Sequence, residues 1–495
     1  MASFSLRVEG TRFRDGQNRE VTLRGINVSG DAKLPARPDQ SSHIKEGFFN
    51  GDNVSFVGRP FPLDDAHTHF ARLKRWGYNT IRYVFTWEAV EHEGPGRYDE
   101  EWIQHTIEVI RVAKSYGFYI FMDPHQDVWS RFTGGSGAPM WTIYACGLDP
   151  QKFAVTQAAL VQNTWSDPAK FPRMIWATNY TRIAAQTIFT LFFAGKDFAP
   201  KAIIDGKNIQ DYLQGHFIAA CRHIAQRIHE AGDLENSVVI GWESMNEPNK
   251  GFIGWKDLSV IPADLNMKKG PIPSGWQAIL TGSGRSVEEE TWDFGNLGPY
   301  KAGTELIDPQ GQICWLTSEA DRYGWKRDPE WRLGECLWAQ HGVWDPSNDT
   351  LLRKDYFARH PTSGEDIDME FFTNHYFLDH WCAFSGAIRS VFPNSIMFCQ
   401  SQPFEVPPKI KGTKDDDPNM VYAAHFYDGI TLITKKWSVE VTPVVPLPTD
   451  CRQESCMECR RSWYYAREIF DPSLCCQDRR ERHPQLLSRS ARCHA

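Results

Sequence analysis

Asn246 and Glu247 stand side by side after an apolar run, Val238-Val239-Ile240-Gly241-Trp242-Glu243-Ser244-Met245, and Pro248 follows them. The β-branched start of that run reads as a buried parallel strand. Proline has a fixed φ and no N–H to donate, so the ladder is expected to end there, with Glu247 at the strand tip. A carboxyl so placed, held as the neutral acid, can protonate the leaving oxygen of a glycosidic bond, and the neighbouring amide can hydrogen-bond a sugar hydroxyl. An ordinary turn uses the same three residue types, so the tripeptide alone leaves both readings open.

Other polar residues fall at the ends of other apolar stretches: Arg82 in 79–84, His125 and Asp127 just past 118–123, and His425 and Tyr427 at and beyond the end of 420–425. Singly, each has a structural reading: Arg82 as a strand-end ion pair, His125 as a capped core histidine, Tyr427 as a turn aromatic. Jointly, four strand ends carrying sugar-compatible groups match the C-terminal face of a (β/α)8 barrel, where such folds place their active sites.

The elements that must position these residues are legible in the same rhythm. Residues 4–8 and 20–27 suggest a short hairpin leading into a first core strand. Residues 64–77 read as an amphipathic helix, with Ala66, Phe70, Leu73 and Trp76 at helical spacing and Gly77 as its stop. A strand at 79–84, a helix at 101–116 closed by Gly117 and a strand at 118–123 continue the βα pattern. A helix at 209–231 leads back into the strand before Glu247, a helix is expected at 371–391, and strands at 395–399 and 420–425 bring the core to six. The expected fold is therefore α/β: a (β/α)8 TIM barrel within residues 1–437, with long insertions at about 128–207 and 250–350, lacking its last two strands. The second insertion carries eight tryptophans from Trp255 to Trp344, which either line an apolar channel or cover the barrel.

At 495 residues the chain is long enough for one such barrel, and its net charge of −8 argues against nucleic acid as a partner. The 19 Trp and 30 Phe suit a protein that stacks against sugar rings or flat lipids, although core packing must account for most of them. No stretch approaches the apolar length of a membrane span and the first residues lack an apolar signal core, so the expectation is a cytoplasmic protein with at most peripheral contact to internal membranes. Six of the twelve cysteines are scattered between Cys146 and Cys399, as reduced core thiols would be.

The chain resembles glycoside hydrolase family 5, and within it the fungal branch related to endoglycoceramidases, which includes glucosylceramidases and steryl β-glucosidases. The stretches that carry the resemblance include Leu23-Arg24-Gly25-Ile26-Asn27, Asn53-Val54-Ser55-Phe56-Val57-Gly58-Arg59-Pro60 and Thr80-Ile81-Arg82-Tyr83-Val84-Phe85-Thr86-Trp87-Glu88-Ala89. They continue through Asp123-Pro124-His125-Gln126-Asp127-Val128-Trp129-Ser130-Arg131, Gly137-Ala138-Pro139-Met140-Trp141, Trp242-Glu243-Ser244-Met245-Asn246-Glu247-Pro248 and His425-Phe426-Tyr427-Asp428. The resemblance implies a retaining β-glucosidase acting on membrane glycolipids, with ergosteryl β-glucoside favoured as substrate and glucosylceramide next. It implies Glu247 as acid/base, Asn246 at the sugar hydroxyl beside the reacting carbon, Arg82 and Tyr427 orienting the nucleophile, and His125, Asp127 and His425 lining the glucose subsite. Neither a metal nor another cofactor is implied.

The family's nucleophile is a Glu ending the seventh strand in a Gly-Glu-Ile-Gly-like context, and this sequence has no such stretch. After Trp437 the composition changes: the last Lys is Lys436, the last Gly is Gly429, and nine Arg and six Cys follow Asp450. The proline-rich 441–448 cannot be a central strand, and Glu440, Glu454 and Glu468 lack a strand-end context. Residues 438–495 are expected to be an aberrant, disordered tail. It reads as an out-of-frame or alternatively spliced ending ahead of an evolved replacement, and ahead of a zinc site built on Cys456, Cys459, Cys475 and Cys476. Two function classes follow: a glycolipid β-glucosidase, or a non-catalytic glycolipid-binding protein or truncated inactive isoform that keeps Glu247 without its nucleophile.

Overall fold

The computed structural model describes residues 6–165, 167–295, 298–428, 431–432 and 435. Residues 1–428 form one compact unit; the second unit, 429–495, falls almost wholly outside the described residues, as do the expected tail, its cysteines and its three glutamates.

The core of the first unit is a six-stranded parallel sheet: β1 (Gly25–Val28), β2 (Thr80–Phe85), β3 (Tyr119–Pro124), β4 (Val239–Glu243), β5 (Ile396–Cys399) and β6 (Met420–Tyr422). Spatial order equals chain order, and every neighbouring pair is parallel. This is the singly wound order of a barrel, in which each connection crosses over on the same side. Residues in which a seventh and an eighth strand would be sought lie beyond Asp428, outside the described set. The strands β2, β4 and β5 are buried along their whole length, as a sheet covered on both faces requires.

The sequence pattern explains the helices that cover the sheet. α1 (Leu63–Arg75) buries Ala66, Phe70 and Leu73, carries Asp64 and Asp65 in its first turn and Arg72, Lys74 and Arg75 in its last, and is followed by Gly77 at φ +90°. Trp76, expected on the buried face, is instead the capping residue and is 64% exposed. α2 (Glu100–Ser115) starts where the Asp99 side chain accepts from the Trp102 N–H. α3 (Ile183–Phe198) and α4 (Ile209–Glu230) occupy the stretch between β3 and β4, and α5 (Leu378–Arg389) continues from a π turn at Thr373–Phe377.

The N-terminal residues form a three-stranded antiparallel sheet, Arg7–Glu9, Arg12–Arg14 and Glu20–Val21, rather than one hairpin. Its Leu6, Val8, Phe13 and Val21 pack against Tyr119, Ile240, Ile396 and Phe398. Since Tyr119, Ile240 and Ile396 lie near the starts of their strands, this small sheet covers the end of the core opposite the strand C-termini. β4 and β5 approach so closely that a Cβ on Gly241 would lie 2.1 Å from the Ile396 carbonyl oxygen.

The second insertion packs rather than opens. Trp315, Trp338 and Trp344 are fully buried, and Trp255 and Trp331 nearly so. These five tryptophans are core, which corrects the alternative of a tryptophan-lined channel for them. No helix among the described residues is long and apolar enough to cross a membrane.

Candidate active site at the strand C-termini

β4 ends at Glu243, not at Glu247. Ser244–Glu247 is a turn beyond it, and Glu247 adopts a left-handed backbone, φ +42°, uncommon for a residue with a side chain. That conformation needs support, and Gln126 supplies it: its side-chain N–H groups donate to the Asn246 and Glu247 carbonyls at 2.7 and 2.9 Å. Asn246 returns the contact, donating from Nδ2 to the Gln126 carbonyl at 2.9 Å. Backbone strain held by a network of this kind is typical of functional sites.

The Glu247 carboxylate is buried and is met on Oε1 by His425 Nδ1 at 2.8 Å and by the Tyr427 hydroxyl, which donates at 2.7 Å. Burial, then the hydrogen bond and proximity to Glu247, push the Tyr427 phenol above its usual value, so it stays a donor.

Beneath this carboxyl lies a second layer. The buried Arg82 guanidinium donates from Nε to Glu243 Oε2 at 2.7 Å and from Nη2 to Asn246 Oδ1 at 3.0 Å, and Nη1 pairs with Asp123 Oδ2 at 3.0 Å. Burial opposes its charge, but Asp123 and Glu243 outweigh it and raise the Arg82 pKa. Glu243 is fully buried and its pKa is raised, by burial first and then by Asp123, against the pull of Arg82. Asp123 feels the same burial, yet Arg82 and His125 bring its pKa below the ordinary value. In the amide orientation that satisfies its neighbours, Gln400 donates to Glu243 Oε1 at 2.6 Å and accepts from the Glu247 N–H at 3.0 Å.

A third group continues sideways. His125 Nδ1 lies 2.8 Å from Asp123 Oδ2 and its Nε2 3.2 Å from Asp127 Oδ2. Burial alone would lower the imidazole pKa, but the two carboxylates raise it. Asp127 is also held by the Lys33 ammonium at 2.6 Å. Burial would raise its pKa, yet His125 and Lys33 bring it down to about 2.

All seven expected residues thus meet at one face: Arg82, His125, Asp127, Asn246, Glu247, His425 and Tyr427. Among the described residues, Tyr427 and His425 both engage Glu247, and Arg82 engages Asp123, Glu243 and Asn246. Asp123, Glu243, Gln126, Gln400 and Lys33 were not singled out from the sequence. Asp123 and Glu243 end or nearly end their strands, a signal that could have marked them. Gln400 directly follows β5 and could have been marked the same way, whereas Lys33 carries no such signal, because it reaches the site only through the fold. Among the described residues, no group of three or more His, Cys, Asp or Glu is arranged to hold a metal ion.

The family model Cellulase (glycosyl hydrolase family 5) matches residues 43–171. A glucosylceramidase of Aspergillus fumigatus is 67% identical over 440 residues, 88% of this chain and 58% of that protein. An ergosteryl-beta-glucosidase of Saccharomyces cerevisiae is 40% identical over 87% of this chain and 59% of its own length. The crystal structure of Cryptococcus neoformans sterylglucosidase 1 with tris superposes with a TM-score of 0.84 at 48% identity, covering 88% of this chain and 62% of that one. The chain therefore spans about three fifths of the length of these relatives. With these neighbours, the parallel sheet is that of a TIM barrel. Residues 43–171 thus match the glycosyl hydrolase family 5 model, and over most of its length the chain is similar to these glucosidases.

Proposed function

We propose that this chain carries the acid/base half of a retaining β-glucosidase acting on membrane glycolipids, with ergosteryl β-glucoside ahead of glucosylceramide. The observation that carries the reading is the buried Glu247 carboxyl at the strand-end face, bonded by His425 and Tyr427 and adjoined by Asn246. Glu247 would give its proton to the leaving oxygen and later take one from the attacking water. Asn246, fixed by Arg82, and Asp127, fixed by Lys33 and His125, are the groups that bind sugar hydroxyls. Two carboxyls suffice for this hydrolysis, so the reaction calls for no metal or cofactor. The protein would work in the cytoplasm, touching membranes peripherally to reach its lipid.

A second reading has an observation of its own. Asp123 and Glu243 are fully buried and both tied to Arg82, which leaves neither free to attack a sugar. That arrangement favours a glycolipid-binding protein or inactive isoform, since removing a covalent nucleophile costs orders of magnitude in rate. Proton NMR of the first-released sugar separates the readings: β-glucose from ergosteryl β-glucoside supports the retaining enzyme, and absence of any released glucose supports the second reading.

A further inference from the structure

Gln400 directly follows β5, is fully buried, and bridges Glu243 and the main chain of Glu247. The main chain fixes which way its amide points. The Glu247 N–H can only donate, so the atom 3.0 Å from it is the Gln400 oxygen. The amino group is thereby turned to Glu243 Oε1 at 2.6 Å. In this orientation the same amide runs beside the His425 ring, its oxygen 3.2 Å from Nδ1 and its nitrogen 3.3 Å from Nε2.

Those two contacts decide where the ring carries hydrogen. An oxygen beside Nδ1 calls for a hydrogen there, and an amino group beside Nε2 calls for a bare lone pair. The Nδ1 hydrogen also faces Glu247 Oε1 at 2.8 Å, which the Tyr427 hydroxyl meets at 2.7 Å. Glu243 Oε1, at 4.0 Å from Nε2, is too distant to accept a hydrogen from it and is already met by the Gln400 amino group. Glu247 Oε1 is thus filled by two donors, which leaves Oε2 as the oxygen that can carry a proton of the carboxyl's own.

Resting on the acid/base reading of Glu247, we propose that Gln400 is a positioning residue for proton transfer. Its amino group denies His425 a second hydrogen, so the proton passed to the leaving oxygen resides on Glu247 Oε2 rather than on the imidazole. With a second hydrogen, the ring would be a cation against an ionised Glu247, and that carboxylate would have no proton to give. With one, Glu247 holds the proton until the leaving oxygen takes it, and the resulting carboxylate is still held by the same two donors on Oε1.

The test labels the full chain with ¹⁵N at histidine and reads the ring nitrogens by long-range ¹H–¹⁵N correlation at about pH 6, where a histidine can carry one ring hydrogen or two. The His425 signals are those missing from His425→Asn. The wild type is expected to show hydrogen on Nδ1 alone. Gln400→Glu, which sets an oxygen against Nε2, is expected to add the second hydrogen, and Gln400→Met, which takes the amino group away, to add it in part. Gln400→Met keeps the side-chain volume, so the comparison stands even if the charged variant fails to fold. In parallel, an alkyl β-glucoside, whose leaving group needs a proton, should be hydrolysed at least about tenfold more slowly by both variants, and dinitrophenyl β-glucoside, whose leaving group does not, should lose less.

Hydrogen on Nε2 in the wild type overturns the proposal, as does a ring in the same state in all three proteins. Equal losses on the two glucosides would give Gln400 only a structural part and overturn it too. An Nδ1-only ring that gains a hydrogen in the variants, with no glucoside hydrolysed by any of the proteins, would uphold the placement of the hydrogens and reject the glycosidase; hydrolysis by a wild type whose ring already carries both hydrogens would do the reverse.

Discussion

Gln126 holds the main chain of Glu247: its amide donates to the Asn246 and Glu247 carbonyls, while its oxygen accepts from the Trp129 N–H at 2.8 Å. One side chain therefore ties the turn after β3 to the left-handed turn after β4. Val128 and Trp129 are themselves at positive φ, so Gln126 stabilises two strained turns together.

Replacing Gln126 with Leu leaves those carbonyls and the Trp129 N–H unsatisfied, at about 1–3 kcal/mol of stability for each buried group that finds no water. If the side chain also positions the acid, kcat for glucose release should fall at least about tenfold while KM changes little. Steady-state kinetics alongside urea unfolding checks both; lost stability with unchanged kcat would confine Gln126 to a structural role.

Tyr427 is 39% exposed and contributes little to the core, yet its hydroxyl donates to Glu247. Tyr427→Phe should leave the melting temperature within about 2 °C, because the lost burial is small. Glucose release should nevertheless fall by about one to two orders of magnitude, less than the roughly 10²–10⁴-fold of losing the proton-transfer group itself. Unchanged turnover would show that His425 alone orients the acid.

Asp127, with its pKa held at about 2 by His125 and Lys33, stabilises the fold only while ionised. Its folded value lies below its unfolded one, so the contribution is full above about pH 4 and is lost as pH falls toward 2, amounting to about 2 kcal/mol. Lys33→Met should shrink that acid-dependent loss, as read by denaturant midpoints at pH 5, 4 and 3.

His380 gives a different window. Both ring nitrogens are buried without a hydrogen-bond partner, among Phe192, Phe193, Phe217 and Phe384, and burial lowers its pKa to about 3. The unfolded imidazole binds a proton near pH 6.5 that the folded one refuses, so stability falls as pH drops below that value, by about 2 kcal/mol at pH 5. His380→Phe should abolish the loss between pH 6.5 and 5 while keeping the loss below pH 4 that belongs to Asp127.

The sheet and the site face were legible because parallel strands write themselves as apolar runs with polar residues after them. Arg82, His125, Asp127, Asn246, Glu247, His425 and Tyr427 were found that way. Strand ends were less legible: Pro248 suggested that β4 runs to Glu247, whereas the ladder stops at Glu243 and a strained turn delivers the acid. A turn held by side-chain bonds from another strand leaves no local mark. Lys33 shows the same limit, since its role depends on a contact more than 90 residues distant in sequence, with Asp127. The tryptophans between Trp255 and Trp344 read ambiguously because core and lining use the same residue type, and only burial decides.

The measurement that tests the central claim most directly is glucose release from ergosteryl β-glucoside by this chain and by its Glu247→Gln variant. The side chains are nearly isosteric, so the variant keeps the packing but has no proton to give. The account predicts measurable release by the wild type and a fall of about 10²–10⁴-fold in the variant. Equal traces from both would contradict it and leave the chain a binder of glycolipid.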